Sequence, residues 1–545
     1  MLWIANILLG FIFVVLAVYY VYFTPPWNFP STIPTIPFYV SFLPFFTKCD
    51  QERIYATYLQ KPMEKHGAVK IYFGGRWNIL LSHPKYLATI FKKEQTYAKS
   101  GNHLKVSKSV IAAYTGENVI SAHGKIWKVF RNTMTLGLTQ YDEEIFFTNA
   151  KLFSNMIESK LTEKEIIKPS MHSTSTLSTS TEEETAVQNK LIRKELKRTT
   201  NNDSSKTLAE LQGDSKQIKR QSGTVAMTDP IQRLALANIS EAALGLDFGT
   251  LRDGDPELHL QLKLVKSQIF QPLYLTFPFL DNLPIPSRVR ARRNVARFRE
   301  TLLAKVTNSL MNNYEYEQTN FASSSLIKAE RNQQITKEQL INNLVIILVA
   351  GHENPQLLLT SLFFLFGKHP CWQEKIRKEV QESDKSFNSI DKLPFLTSFI
   401  YEAIRMYPPL SQIINRCTVK KTALDQNIVV PKGAYVGYNV YGTGRNGNFW
   451  ERPAVFDPYR WGHSIDEITD NWRHCKQNCT MAAFHGGNRA CLGEKLALAE
   501  VKITFVEMLS KFEWKISPNW RERMTPAGPL CPAGLELCFQ TIESL

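Results

Sequence analysis

Near its end the chain reads FHGGNRACLGEKLALAE, residues 484–500. Phe484, Gly487, Arg489, Cys491 and Gly493 stand there at fixed offsets, just before a run of good helix formers. Glycine lets a backbone take positive φ and approach a flat ligand closely. A cysteine at a helix entrance meets unpaired backbone N–H groups and the positive end of the helix dipole, and both favour a thiolate. A thiolate so held can ligate iron. A free cysteine taken alone is usually a small buried apolar residue. The complete pattern F-x-x-G-x-R-x-C-x-G points instead to a ligand.

Other segments add charge at useful spacings. YEAIRMYPP places Glu402 and Arg405 on one face of a helix, and FDPYRW supplies Arg460. HGKIWKVFR offers His123, Trp127 and Arg131, and Arg416 follows Pro408-Pro409. Carboxylates in a partly dry pocket need such charged donors. AGHENPQ, residues 350–356, interrupts a long apolar helical pattern. Its polar centre makes a membrane span costly and a core helix the better reading. Pro355 cannot bond to the carbonyl of Gly351, so the helix is predicted to open there and leave room for a water.

In this order, and over nearly the whole chain, these segments resemble the cytochrome P450 family. The resemblance implies a mainly α fold with a smaller β part. It implies haem b as cofactor, with Cys491 as the axial thiolate on iron and Phe484, Gly487, Arg489 and Gly493 shaping the loop around it. Arg131, Trp127, Arg416 and His123 are implied as partners of the haem propionates. Glu402, Arg405 and Arg460 are implied as a structural cluster on the proximal side. AGHENPQ aligns with the helix over the distal face, where Gly351 would leave room for dioxygen and Glu353 would relay protons. Asn354 stands where the family carries threonine, and Pro355 follows it. An amide keeps hydrogen-bonding capacity but has no hydroxyl proton to give. Asn354 and Pro355 therefore either serve proton delivery through water or only shape a kink. His352 is expected to be a packed or surface residue, because the thiolate already accounts for the iron.

The asparagine–proline pair is also similar to that of a fungal branch of the family. That branch joins two N-formyltyrosine units through their rings, giving a dityrosine precursor for spore or cell walls. The alternative within the family is hydroxylation of a fatty acid or sterol. A haem-binding membrane protein without turnover is a reading of another class, and the complete constellation argues against it. A zinc site at His474, Cys475 and Cys479 has poor spacing and no fourth ligand nearby.

The rest of the 545-residue chain must position these groups. Residues 2–23 carry no charge and match the roughly 20 apolar residues that span a bilayer. They lack the basic start and cleavage site of a secretory signal, so a retained single-pass anchor is expected. The first basic residues lie after it, which places the body in the cytosol, on an endoplasmic reticulum membrane. Residues 24–48 are a proline-rich spacer, and 49–545 form the catalytic domain. Low-complexity sequence marks a disordered insertion at about 165–225, with a basic block at 190–198. Eight thinly spread cysteines fit a reducing compartment.

Lys and Arg outnumber Asp and Glu by 65 to 50, a net +15 that favours anionic partners. No basic stripe interleaved with aromatics appears, so nucleic acid is excluded as a partner. There is no nucleotide-binding glycine loop after a strand. Electrons are expected from an NADPH-cytochrome P450 reductase. The other implied partners are membrane lipid and a small aromatic substrate. Its pocket is expected to be walled by residues 103–120, 350–355 and 408–415.

Overall fold

The computed structural model describes residues 2–166, 221–252, 254, 256–312 and 319–542. Most of the expected insertion, with its basic block, lies outside them. Its expected edges are corrected. Residues 165 and 166 finish a helix, and Ser222–Ala226 form a strand. The alternation of Val225 with polar neighbours suffices for a strand once a partner pairs with it.

The main helices follow the apolar patterning. They are α1 (Leu2–Phe23), α2 (Gly124–Thr139), α3 (Glu144–Ile166), α4 (Thr228–Leu244), α5 (Glu257–Ile269), α6 (Pro286–Asn312), α7 (Lys337–Lys368), α8 (Pro394–Met406) and α9 (Glu494–Lys511). α1 has 22 residues, and its described side chains, such as Trp3, Phe11 and Phe13, are exposed. Residues 2, 18, 21 and 22 fall outside the described side chains. Among the described residues no helix is long and apolar enough to cross a membrane.

α7 is the axis of the body. Thr336 starts it with a capping box, its hydroxyl accepting from the Gln339 amide while the Gln339 side chain accepts from the Thr336 amide. Most of its residues are buried against α4, α6, α8 and α9. α4 is buried nearly all round, follows Met227 without a side-chain cap, and ends at Gly245 in the left-handed region.

Among the described residues the β part holds ten strands: β1 (Ala68–Phe73), β2 (Arg76–Leu81), β3 (Tyr97–Lys99), β4 (Ser222–Ala226), β5 (Gln412–Thr418), β6 (Thr422–Asp425), β7 (Ile428–Val430), β8 (Tyr435–Asn439), β9 (Phe512–Ile516) and β10 (Glu536–Thr541). One sheet has the order β1-β2-β8-β5-β3, a second the order β4-β10-β9, and β6 pairs with β7. The β3–β5 register sets Lys99 opposite Arg416, across a large sequence separation. That pairing brings two cations to one place.

Candidate active site

The cysteine loop is built by its glycines. Gly487 has φ +62°, and a Cβ there would lie 3.1 Å from the Phe91 carbonyl oxygen. Gly486 is extended, and its missing Cβ faces the Phe91 ring. The Cys491 amide donates to the Phe484 carbonyl at 3.0 Å, which closes the loop. Phe484 in turn packs against the Trp472 ring. Cys491 keeps accessible surface although protein surrounds it on nearly every side, so it opens onto an internal space.

Burial pushes the Cys491 thiol up, the Gly493 amide pulls it down, Glu494 pushes up again, and Arg131 and Lys476 pull down. The helix entrance alone therefore does not hold a thiolate. A cation on the open side of the sulfur would.

Positive charge gathers around this loop. The Arg131 guanidinium donates to the Ala490 carbonyl at 3.1 Å. Arg489 donates through Nη1 to the Ala122 carbonyl at 3.0 Å and through Nε to Glu94 at 2.5 Å. Its Cζ lies 3.7 Å from the centre of the Trp127 ring. Arg416 is 1% exposed; its Nη1 donates to the Tyr97 carbonyl at 3.0 Å, and its Nε has no partner. Burial pushes Arg131, Arg416 and Arg489 down, while Glu94 pulls each of them back.

Lys99, not foreseen from the sequence, belongs to this group. Burial, then Arg416 and Arg489, push its ammonium well down. These cations share Glu94 as their acid, so the pocket has surplus charge and an unused buried donor, which suits the two propionates of haem. His123 is exposed just before α2 and lines a cavity of about 740 Å³ with Trp127, Glu94 and Asn488.

On α7 a partly exposed stretch at Val349, Ala350, Gly351, Glu353, Asn354, Gln356 and Leu357 interrupts the buried middle of the helix, and Ala350, Glu353, Asn354 and Leu357 form a stripe along it. α7 continues unbroken through Pro355 to Lys368, so the expected opening does not occur, although the Gly351 carbonyl loses its usual donor. Asn354 Nδ2 donates to the Ala350 carbonyl at 3.3 Å, one turn back, which leaves its carbonyl oxygen as the free end.

Gly351 has a packing role. Its missing Cβ faces Ile239, whose Cγ1 would lie 2.2 Å away, so the glycine is required by close packing of α4 on α7. Glu353 pairs with Lys266 of α5 at 3.0 Å. His352 is fully buried, as the packed reading required. Its Nδ1 bonds the Leu348 carbonyl at 2.6 Å, and its Nε2 lies 3.4 Å from Lys266 Nζ. Lys266 thus touches both polar neighbours of Asn354, a contact that helical spacing within α7 does not reveal.

The structural cluster forms as expected. Arg405 donates to Glu402 through Nε at 2.8 Å and Nη2 at 2.7 Å, and both side chains are fully buried. Glu402 also accepts from the Asp457 amide at 3.0 Å, from Trp461 Nε1 at 3.2 Å and from Arg460 Nε at 3.5 Å. Arg405 spends its remaining donors on the carbonyls of Gly444, Pro453 and Val455. Every lone pair and proton that matters is used, which is the condition for a buried pair to be tolerated. Cys475 and Cys479 are pushed up by burial, and no group of three or more metal-ligating side chains occurs among the described residues.

A sequence profile described as Cytochrome P450 matches residues 143–537. The chain belongs to the cytochrome P450 family. Cytochrome P450-DIT2 of Saccharomyces cerevisiae is 47% identical over 517 residues, covering 94% of each chain. Cytochrome P450 monooxygenase xanG of Aspergillus fumigatus is 32% identical over 525 residues, covering 94% of this chain and 87% of that one. Among solved structures, the cytochrome P450DA heme domain superposes with TM-score 0.66 at 15% identity, covering 95% of this chain and 99% of that one. That likeness is one of fold. As a P450, the protein is a haem-binding oxidoreductase of the monooxygenase class. Cys491 would hold the iron, and Arg131, Arg416, Arg489 and Lys99 would hold the propionate edge.

Proposed function

We propose that this P450 couples two N-formyltyrosine-type phenols into a dityrosine precursor for a fungal spore or cell wall. The observation that carries the reading is the partly exposed Asn354 on α7, followed by the buried Pro355. Bound haem supplies dioxygen activation and the oxidising power for two phenols. In the net reaction two ring C–H bonds break and one C–C bond forms. Two electrons and two protons from the rings join two electrons from NADPH and two further protons in reducing dioxygen to two waters.

The chain's own task is to hold two rings in contact and exclude water, a proximity effect. Ala350 and Leu357 offer apolar surface for this, and the free Asn354 carbonyl oxygen can accept from a phenol hydroxyl or a water.

The same reading places the protein on the endoplasmic reticulum membrane with its body in the cytosol. α1 is an uncharged helix of 22 residues. Beside its end, Phe23, Phe38, Phe42, Phe46 and Phe277 line an open apolar cavity of about 400 Å³ that suits lipid. The electron donor is an NADPH-cytochrome P450 reductase. Exposed Lys92, Lys93 and Lys128 ring the cavity beside the cysteine loop and suit an acidic docking face.

The test is a reconstituted assay with reductase, NADPH and N-formyltyrosine. Dityrosine fluorescence and a mass of two substrates less two hydrogens are expected. A normal reduced carbon monoxide spectrum without dimer, and with lipid hydroxylation, would replace phenol coupling by lipid oxidation.

A further inference from the structure

The cations around the cysteine loop are accounted for by Glu94 and the propionates. A second pair of cations is not. Arg76 opens β2, and Lys105 ends the short helix Asn102–Lys105. Both rest on the Tyr435 ring, with Arg76 Cζ 4.7 Å and Lys105 Nζ 5.2 Å from its centre. Arg76 Nη2 donates to the Lys105 carbonyl at 2.5 Å, which ties the two segments together. Arg76 Nε is buried and has no partner. Among the described residues no carboxylate pairs with either cation. Burial, reinforced by Arg76, pushes the Lys105 ammonium down to about 8. Two like charges held together half-buried, with one buried donor unused, call for an anion.

The surroundings say which kind. The Tyr435 hydroxyl bonds Ser100 Oγ at 3.1 Å, and Ser100 follows Lys99 of the propionate group. The pair is therefore tied to the haem edge through β3. On its other side Arg76, Trp77 and Tyr435 line an open cavity of about 450 Å³. A cation pair between an outer opening and the haem edge can hold the anionic end of a molecule whose other end reaches inward.

We propose that Arg76 and Lys105 form the subsite for the carboxylate of the phenolic amino-acid substrate. The inference rests on the phenol-coupling reading and deepens it. N-formylation removes the ammonium of tyrosine and leaves one carboxylate, opposite the phenol. The pair attracts that carboxylate and repels the ammonium of free tyrosine, so it selects for N-acylated tyrosine. The carboxylate holds the outer end, and the phenol is left to meet the α7 stripe.

The experiment is a substrate-induced spectral titration of the full-length protein in nanodiscs, with N-formyltyrosine and with its methyl ester. The wild type is expected to bind the acid at least tenfold more tightly than the ester. Arg76→Gln and Lys105→Met are each expected to weaken acid binding about tenfold and leave the ester unchanged, with the reduced carbon monoxide spectrum intact. Variants that bind the acid like wild type, or weaken acid and ester alike, overturn the subsite and leave phenol coupling standing. Loss of binding to phosphatidylserine vesicles with acid binding unchanged makes the pair a headgroup site and overturns the proposal. No spectral response to either ligand, with the carbon monoxide spectrum normal, overturns the phenol-coupling reading and the subsite with it.

Discussion

Cys491 and His352 show how burial sets chemistry at single residues. Burial works against the Cys491 thiolate, and the Gly493 amide, Arg131 and Lys476 work for it. Cys491→Ala is expected to abolish the thiolate signature of the reduced carbon monoxide complex while folded protein is still made. A persisting signature would reassign the ligand.

His352 is pushed down to about 4, mainly by burial and then by Lys266, while Glu353 and the Leu348 carbonyl pull it up and His259 adds to the lowering. The unfolded chain takes a proton below about 6.5 that the folded protein refuses until about 4. Stability is therefore lost as pH falls through that window, on the order of 3 kcal/mol at full effect. His352→Gln should flatten the dependence of melting temperature on pH between those values. A slope equal to the wild type would mean that other groups carry it.

At the scale of elements, the meeting of helices decides what the sequence leaves ambiguous. Gly351 looks like an oxygen-site glycine, yet it is where α4 crosses α7. The Asn238 amide nitrogen of α4 donates to Glu500 Oε2 of α9 at 3.0 Å, and the Asn238 amide oxygen and Glu500 Oε1 are buried without a partner. One proton on Glu500 satisfies both oxygens, which agrees with burial pushing this carboxyl well up. A raised acid stabilises least at high pH. The folded state holds a proton that the unfolded state loses above about 4.3, so stability falls as pH rises from there through the folded value. Glu500→Gln reproduces the neutral pattern and should raise the melting temperature at pH 8 relative to wild type. Scanning calorimetry showing a lower melting temperature at pH 8 would count against a protonated Glu500.

On the whole molecule, the +15 charge acts at long range. Lys92, Lys93 and Lys128 concentrate part of it beside the cysteine loop. Such a face raises association rates, and ionic strength screens it with a Debye length near 8 Å at physiological salt. Haem reduction by the reductase is expected to slow several-fold between low and physiological salt in stopped-flow measurements. A rate indifferent to salt would move docking to another surface.

How much was legible in advance follows from distance along the chain. The loop from Phe484 to Gly493 is local chemistry, and so is the Glu402–Arg405 pair three residues apart, so the family resemblance could be carried by both. The uncharged run of α1 and the packed His352 were equally plain. Contacts between distant segments were not. Lys99 joins Arg416 only through the β3–β5 register, and Lys266 reaches Glu353 only because α5 lies against α7. Arg76 and Lys105 meet over Tyr435 for the same reason. Residue types and short spacings determined the ligand and the family. Tertiary packing alone decided which charges are paired and which stay unbalanced, because electrostatic partners are chosen in space and sequence order does not record them.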